Sequence, residues 1–259
     1  MDHDLVIGVN PILEKIKTSP EEISEILLAR GPLRPVLKSI ENEAQKLRIK
    51  LKFLEAKELD HLANGQNHQG VLARVRAYSY AAFSELERTV AAEARPQRIL
   101  ILDGITDPRN FGAILRTAEA VEVRDIIIPK DRSVGITPAV LKASAGAVNH
   151  LRVYRVTNLR RAISSLKRKG FWIVGLDANA TEDYDGKQYP EKLGLVLGNE
   201  GRGIRPLISK ECDYLVRIPM KGKISSLNVS VAAAILLYEV SRQHNGRQHN
   251  GIDNGKPNG

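Results

Sequence analysis

The sequence predicts an α/β protein in which a mostly parallel β-sheet is preceded by a smaller α/β domain. At 259 residues, the chain is long enough for two ordinary domains. From residue 98 onward, apolar runs alternate with helical patterns, which is the order typical of a parallel sheet. Residues 99–102 are all Ile or Leu, and such a run without polar alternation indicates a strand buried on both faces.

The smaller domain is expected over residues 1–78. Its two strand-like runs, residues 50–54 and 71–75, alternate or cluster apolar side chains as strands do. The dipeptide Gly31-Pro32 separates two elements. Helical patterns are predicted at residues 10–17, 23–29 and 35–47.

The larger domain is expected over residues 98–244, after a linker at residues 79–97 that shows only an intermittent helical pattern. Thr137-Pro138 is typical of a helix N-cap with proline at the first helical position. Residues 245–259 are polar, repetitive and rich in glycine, so a disordered tail is expected. The other predicted elements are strands at 99–102, 125–128, 172–176, 193–197 and 214–218, and helices at 111–120, 158–169 and 228–243.

The composition is that of a soluble globular protein, with 42% hydrophobic and 27% charged residues. A single cysteine, Cys212, excludes an internal disulfide and a cysteine-rich metal cluster. No apolar run reaches membrane-spanning length, and the acidic N-terminus lacks the layout of a secretory signal. We therefore expect a cytoplasmic protein that binds neither a membrane nor a metal.

The positive charge is concentrated in the larger domain. Residues 1–78 carry 12 Lys and Arg against 11 Asp and Glu, whereas residues 98–244 carry 23 against 15. The second segment thus holds +8 of the net charge of +9. Such an excess favours a polyanionic partner such as a nucleic acid, because neutralised phosphates release counterions. A basic surface that is merely solvated explains the charge equally well.

Residues 102–116 run from a buried strand through a polar loop into a helix. Asn110 stands where a helix N-cap is expected, and Gly112 and Arg116 are four residues apart on one helical face. A glycine at that position would leave room for a substrate backbone to approach the guanidinium, which suits RNA phosphate or ribose. The alternative is a capped helix whose arginine forms an ordinary salt bridge.

Two later loops also follow predicted strands. Gly198, Gly201 and Gly203 permit close approach of a ligand at the carboxyl end of a strand, although their spacing matches neither a dinucleotide fingerprint nor a P-loop. A tight turn is the alternative. In residues 218–232, Ser226 or Asn228 can cap a helix that is apolar almost all round and should be buried. This suggests a cofactor pocket at a subunit interface.

Together the three segments resemble the motifs of the SpoU-type (TrmH-like) 2′-O-ribose RNA methyltransferases of the SPOUT superfamily. The segments are Asn110-x-Gly112-x-x-x-Arg116, residues 197–203 (Leu-Gly-Asn-Glu-Gly-x-Gly), and Ile218-Pro219-Met220 followed by residues 226–232. The resemblance covers nearly all of residues 98–244. Residues 8–13 and 68–71 are similar to the substrate-binding domain of this family, in particular of its rRNA guanosine-2′-O-methyltransferase branch.

The resemblance implies a sheet whose C-terminal part forms a trefoil knot, a homodimer with its active site near the subunit interface, and S-adenosylmethionine as cofactor. Arg116 would activate the ribose 2′-hydroxyl, and the other polar site residues would be Asn110, Glu200, Ser226 and Asn228. The cofactor would lie in the loops 198–203 and 218–228, and no metal is required. The expected cofactor contacts are Gly198, Asn199, Gly203, Ile218, Met220, Leu227 and Asn228.

The expected substrate is structured RNA, with a guanosine of large-subunit ribosomal RNA preferred and transfer RNA as the alternative. A non-catalytic RNA-binding protein of the same fold is a rival, but it would be free to lose Asn110, Arg116, Glu200 and Asn228, and all four are present. A nucleotide-dependent α/β enzyme of another kind is disfavoured because the fingerprint glycines are missing.

Overall fold

The chain forms two compact units, Met1–Ser79 and Tyr80–Gly259. The structure is a computed structural model that describes residues 3–76, 78–92, 96–224 and 226–250. Each unit contains its own β-sheet.

The first unit is a four-stranded sheet with three helices. The sheet order is β1-β4-β2-β3, in which β4 pairs antiparallel with both β1 and β2, and β3 pairs parallel with β2. The elements are β1 (His3–Ile7), α1 (Val9–Thr18), β2 (Ile23–Ala29), α2 (Pro35–Lys46), β3 (Lys50–Leu54), α3 (Ala56–Ala63) and β4 (Val71–Arg76).

The helix predicted at residues 23–29 is wrong, because these residues form strand β2. Ile26 and Leu28 point into one hydrophobic cluster, and Leu27 points into another on the opposite face. A strand buried on both faces shows no polar alternation, so its apolar run cannot be distinguished from a buried helical segment by periodicity alone. Strand β1 and helix α3 were not predicted.

The two segments that resemble a substrate-binding domain lie together in the first unit. The backbone N–H of Val9, at the start of α1, donates to Oε1 of Gln69 at 3.1 Å. Gly8 donates to the carbonyl of Val71 at 3.3 Å, and Gly70 donates to Nδ1 of His68 at 3.0 Å. The turn before α1 is therefore held against the turn before β4.

Within the described part of the chain, the second unit contains seven parallel strands in the order β7-β6-β5-β10-β8-β11-β9. The prediction of a mostly parallel sheet is confirmed, although β7 and β9 were not predicted. The strands are β5 (Gln97–Asp103), β6 (Asp125–Pro129), β7 (Arg152–Val156), β8 (Trp172–Leu176), β9 (Glu182–Asp183), β10 (Lys192–Gly198) and β11 (Tyr214–Arg217).

Helices cover this sheet. Thr137 caps α6 and Asn158 caps α7 through their side-chain oxygens, and the first of these caps was predicted. Residues of α4, α7 and α8 share one hydrophobic cluster with strand residues, whereas α5 contacts α6 and α9. The helices are α4 (Phe83–Ala92), α5 (Pro108–Ala120), α6 (Pro138–Ala143), α7 (Leu159–Arg168), α8 (Pro206–Ser209) and α9 (Val229–Asn250).

The strand order reverses between β5 and β10. From β5 the chain continues outward to β6 and β7, whereas β10 begins the other half of the sheet. The carboxyl ends of the two strands are in register, with Asp103 opposite Gly198. In open α/β sheets, ligands bind at such a switch point, outside the carboxyl ends of the strands.

The linker predicted at residues 79–97 needs correction. Residues from Tyr80 onward belong to the second unit, and they include the whole of α4 and the start of β5. Leu86 and Val90 of α4 are almost fully buried in the cluster beneath α7. Two apolar residues one helical turn apart are enough to anchor a short helix, yet they make only a weak periodic pattern in the sequence.

Helix α9 differs from prediction in its length and its burial. It continues to Asn250 rather than ending near residue 243, so the predicted tail begins inside the helix, and residues 251–259 lie outside the described part of the chain. The helix is not buried all round, because Val231 and Tyr238 are 47% and 57% exposed. None of the helices that the structure describes combines the length and hydropathy needed to cross a membrane. The trefoil knot stays a prediction.

Replacing Leu86 with alanine should test whether α4 is part of the folded core. Leu86 is 1% exposed, so Leu86→Ala should lower the free energy of unfolding by about 2–5 kcal/mol, the range for a buried leucine. Urea unfolding followed by circular dichroism measures the change. Glu85→Ala, at an exposed neighbouring position, is the control. Equal stability of the two variants would contradict the role of α4 in the core.

Candidate active site

Three loops at the carboxyl edge of the second sheet form the candidate site. The first joins β5 to α5, the second follows β10, and the third connects β11 to α9. They correspond to the three segments singled out in the sequence. Because β5 and β10 are neighbours, the first two loops leave the sheet side by side.

Asp107, and not Asn110, is the N-cap of α5. Its side chain accepts hydrogen bonds from the backbone N–H groups of Arg109 at 2.6 Å and Asn110 at 3.4 Å. Pro108 therefore takes the first helical position, and the helix begins three residues earlier than predicted. This correction matters for function, because it leaves the side-chain amide of Asn110 available for contacts with the other loops.

Three side-chain amides and the carboxylate of Glu200 form a hydrogen-bonded chain that connects all three loops. Asn228 donates from Nδ2 to Oδ1 of Asn110 at 3.0 Å, and Asn110 donates from its own Nδ2 to Oε1 of Glu200 at 3.0 Å. Oε2 of Glu200 accepts from Nδ2 of Asn199 at 3.1 Å, and the same nitrogen donates to the carbonyl of Gly104 at 2.9 Å. Each amide nitrogen in this chain donates to an oxygen, so the orientation of each amide is determined by its neighbours. We call these four side chains the amide chain.

Asn228 also caps helix α9. Its Oδ1 accepts from the backbone N–H of Ser230 at 2.8 Å and from the Ser230 hydroxyl at 2.6 Å. The sequence left the cap open between Ser226 and Asn228, and the structure assigns it to Asn228. Ser226 is exposed and has no hydrogen bond to a described residue of the amide chain.

The loop after β10 folds back on itself as a tight hairpin. Asn199 and Gly203 exchange both backbone hydrogen bonds, at 3.0 and 2.9 Å. A Cβ at Gly198 would lie 2.1 Å from the carbonyl carbon of Gly203 and 2.2 Å from the backbone nitrogen of Ile204. Gly203 has φ +67°, which favours glycine. Gly198 thus makes room for the hairpin itself, whereas the sequence suggested that it makes room for a ligand.

An ion pair between buried Asp103 and exposed Arg205 holds the hairpin to β5. Asp103 is 1% exposed, and its Oδ1 accepts from Nε of Arg205 at 2.7 Å while Oδ2 accepts from the Arg205 backbone N–H at 2.8 Å. The bidentate geometry compensates the carboxylate for its loss of water. Neither residue was predicted. An aspartate ending an apolar strand was the only signal in the sequence.

Gly112 makes room for a helix and not for a substrate. A Cβ there would lie 2.4 Å from Cβ of Ala143 and 2.9 Å from the backbone nitrogen of Ser144, at the end of α6. The expectation that Gly112 lets a substrate backbone approach Arg116 is therefore wrong. Arg116 itself is exposed on α5 and no hydrogen bond joins it to the amide chain within the described residues.

The loop before α9, which ends at Asn228 of the amide chain, contains apolar side chains that are exposed or half-buried. Met220 and Leu227 are 38% and 37% exposed, and Ile218 is half-buried. Leu227 immediately precedes Asn228. The expected cofactor residues therefore comprise backbone positions of the hairpin (Gly198, Asn199, Gly203), apolar positions of this loop (Ile218, Met220, Leu227) and Asn228 of the amide chain.

The described residues support neither a metal site nor a nucleophilic cysteine. No cluster of three or more His, Cys, Asp or Glu side chains there is arranged to hold a metal ion. Burial raises the pKa of the Cys212 thiol to about 12, and nearby Asp213 contributes to the shift. The thiol is therefore protonated at neutral pH and is a poor nucleophile.

A pair of glycine variants tests whether the hairpin requires glycine at position 198. Gly198→Ala should destabilise the protein, because its Cβ would overlap the backbone at Gly203 and Ile204. Gly201→Ala is the matched control, since the nearest atom to a Cβ there is Oδ1 of Asn199 at 3.7 Å. Thermal unfolding of both variants measures the effect. A normal melting temperature for Gly198→Ala would contradict the described packing.

Comparison with known proteins assigns both units to one family. Residues 97–238 match the SpoU rRNA methylase family, and residues 5–81 match the RNA 2′-O ribose methyltransferase substrate-binding domain. The first match contains the whole amide chain.

Similar full-length proteins carry related names. The chain is 42% identical to YacO of Bacillus subtilis and 43% identical to a protein of Staphylococcus epidermidis, each match covering 94% of this chain and 97% of the relative. Both relatives are named for the TrmH family of tRNA/rRNA methyltransferases.

The fold is that of a solved SpoU methyltransferase, AviRb of Streptomyces viridochromogenes. The TM-score is 0.63 at 24% identity, over 95% of this chain and 91% of AviRb, and AviRb has also been crystallised with AdoMet. The matches to both family domains and to relatives above 40% identity lead to one conclusion. The chain belongs to the SpoU family of RNA 2′-O-ribose methyltransferases.

Proposed function

We propose that this enzyme transfers the methyl group of S-adenosylmethionine to the ribose 2′-hydroxyl of a guanosine in large-subunit ribosomal RNA. Membership of the SpoU family supports the reaction and the cofactor. The observation that carries the proposal is the amide chain, which joins the three motif loops at the switch point of the sheet. A protein that only bound RNA would have no need of this arrangement.

The residues around the hairpin suit S-adenosylmethionine. The hairpin offers backbone groups at the carboxyl end of β10, and the next loop offers the apolar surfaces of Ile218, Met220 and Leu227 for the adenine. When bound, the cofactor supplies an electrophilic methyl group on a sulfonium. Gly198, Asn199, Gly203 and Asn228 would hold the remainder of the molecule.

Arg116 would act on the ribose. Its guanidinium is permanently charged and offers a planar fork of donors, so it stabilises the negative charge that develops on the 2′-oxygen and contacts the adjacent phosphate. Arg116 does not need to remove the hydroxyl proton itself, because this proton passes to solvent water as the methyl group bonds to the 2′-oxygen and its bond to sulfur breaks. Exposure of Arg116 on α5 leaves it accessible to an RNA strand.

Glu200 and Asn110 would position the site rather than exchange protons. Both oxygens of Glu200 already accept amide hydrogens, and Asn110 uses its amide as donor and acceptor at once. Held in this way, they keep the loop before α9 aligned with the hairpin. Alignment matters for methyl transfer because the displacement requires the nucleophile and the departing sulfur to be in line. Ser226, exposed in the third loop, would contact the ribose.

Ribosomal RNA is the favoured substrate for two reasons. The family that residues 97–238 match is described as rRNA methylases, and the first unit matches a substrate-binding domain. Transfer RNA is the alternative, since the relatives are named for both substrates. The second unit provides the positive charge for contacts with phosphates in either case.

The enzyme would work as a homodimer in the cytoplasm. Val231 and Tyr238 are seven residues apart on α9, and both are exposed together with Ile224 and Leu227 of the preceding loop. Large exposed apolar side chains on one helical face, such as Val231 and Tyr238, are typical of a protein interface. An interface there would lie next to the amide chain and would bring a second subunit close to the site.

Cofactor binding and methylation mapping test the proposal. Calorimetry should detect binding of S-adenosylmethionine and of its demethylated product, and neither NADH nor ATP should compete. Ribose-methylation mapping of RNA from cells with and without the protein should show one ribosomal guanosine that loses its mark. Loss of a mark on transfer RNA instead would overturn the choice of substrate, and absence of cofactor binding would contradict the reaction.

Variants of Arg116 test its role on the ribose. Arg116→Ala should keep the affinity for S-adenosylmethionine and lower kcat by about 10²–10³-fold, the usual loss for one donor that stabilises a developing oxyanion. Arg116→Lys should stay well below the wild type, because a point charge lacks the fork geometry. Arg124→Ala, at an exposed arginine beyond the end of α5, is the control and should stay active. Near-normal turnover of the lysine variant would exclude any need for the fork.

A further inference from the structure

A groove lies between helices α4 and α7 of the second unit. It has a volume of about 530 Å³ and is lined by both helices. Their apolar sides share one cluster, in which Leu86 and Val90 of α4 meet Ile163 and Leu166 of α7, so the walls of the groove are fixed. The lining side chains are Ser84, Glu87, Arg88, Ser165, Arg168 and Lys169.

The cations of the groove differ from two other cations of α7. Arg160 and Lys167 are paired with Glu211 and Asp213, at 2.6 and 2.7 Å. By contrast, Arg88, Arg168 and Lys169 form no ion pair with any residue in the described ranges, and both arginines are exposed. Their charge is therefore available to a ligand.

One carboxylate lies among these cations. The hydroxyl of Ser165, a residue that is 5% exposed, donates to Oε1 of Glu87 and fixes the carboxylate between the two helices. The groove thus presents a hydrogen-bond acceptor beside three positive groups. A plain anion would be repelled by Glu87, whereas a ligand with a hydroxyl next to a phosphate would use both kinds of group.

The positive surface continues along α7 toward the edge of the sheet that holds the amide chain. Arg161, Ser165 and Arg168 follow each other at helical spacings of four and three residues and share one face. Arg161 is in the first turn of α7, which follows the carboxyl end of β7. Seven residues of helix place Arg161 and Arg168 roughly 10 Å apart along the axis.

We propose that the groove between α4 and α7 binds the backbone of the RNA outside the target nucleotide. Arg88, Arg168 and Lys169 contact phosphates, and Glu87 accepts a hydrogen bond from a ribose 2′-hydroxyl. The 2′-hydroxyl is the group that distinguishes RNA from DNA, so Glu87 gives the groove a preference for RNA. The inference rests on the proposed function only in taking RNA as the substrate.

Binding across a salt series tests the groove. The probes are a fluorescein-labelled single-stranded RNA of 20 nucleotides and the DNA of the same sequence, titrated with the full-length protein without cofactor. Arg88→Ala combined with Arg168→Ala should reduce the slope of log affinity against log salt by about 1.4, since each single-strand phosphate contact contributes roughly 0.7. The matched control combines Arg152→Ala with Arg160→Ala. It removes the same charge from residues that already pair with Asp125 and Glu211, and its slope should stay close to that of the wild type.

Glu87→Gln tests the carboxylate separately. Removal of its charge should strengthen binding of the DNA probe and reduce the preference for RNA. Three outcomes would each overturn the inference. They are an unchanged salt slope in the Arg88→Ala, Arg168→Ala variant, equal effects of the two double variants on that slope, and an unchanged preference for RNA over DNA in Glu87→Gln. Circular dichroism confirms that every variant is folded. Calorimetry with S-adenosylmethionine on the same proteins tests the proposed function independently, because groove variants should keep the cofactor affinity of the wild type.

Discussion

The lateral pairing of β5 with β10 is the constraint on which the site depends. It places Asp103 opposite Gly198, so the two loops leave the sheet at neighbouring points although they are far apart in the chain. The missing side chain of Gly198 then lets the second loop turn back on itself, and the pair of Asp103 with Arg205 holds that loop to β5. In this arrangement, Nδ2 of Asn199 donates to both Glu200 and the carbonyl of Gly104. The amide chain is therefore a consequence of sheet topology.

Much of the second unit could be predicted because its strands are buried on both faces. The runs at 99–102 and 193–197 are unbroken, and each lies within a strand of the structure. The same property caused the error at residues 23–29, where an apolar run is equally compatible with a helix. Helix α4 was missed for the opposite reason, since Leu86 and Val90 are too few to produce a clear period.

The site could be predicted only as far as motifs allow. Asn110, Glu200 and Asn228 were singled out, and the structure brings them together. Their connections could not be predicted, because a hydrogen bond between residues 90 or 118 positions apart leaves no local pattern. The pairing of Asp103 with Arg205 was invisible for the same reason. Gly112 shows the converse limit: the need for a glycine was evident, but the contact with Ala143 that requires it was not.

The amide chain also determines when, during synthesis of the protein, the three loops can form the site. Asn228 follows Asn110 by 118 positions, so at usual synthesis rates of about 5–20 residues per second it is made roughly 6–24 s later. Until then, the first loop has no partner for the Oδ1 atom of Asn110, and α9 lacks its cap. A nascent chain therefore exposes its completed N-terminal unit well before it can assemble a methyl-transfer site.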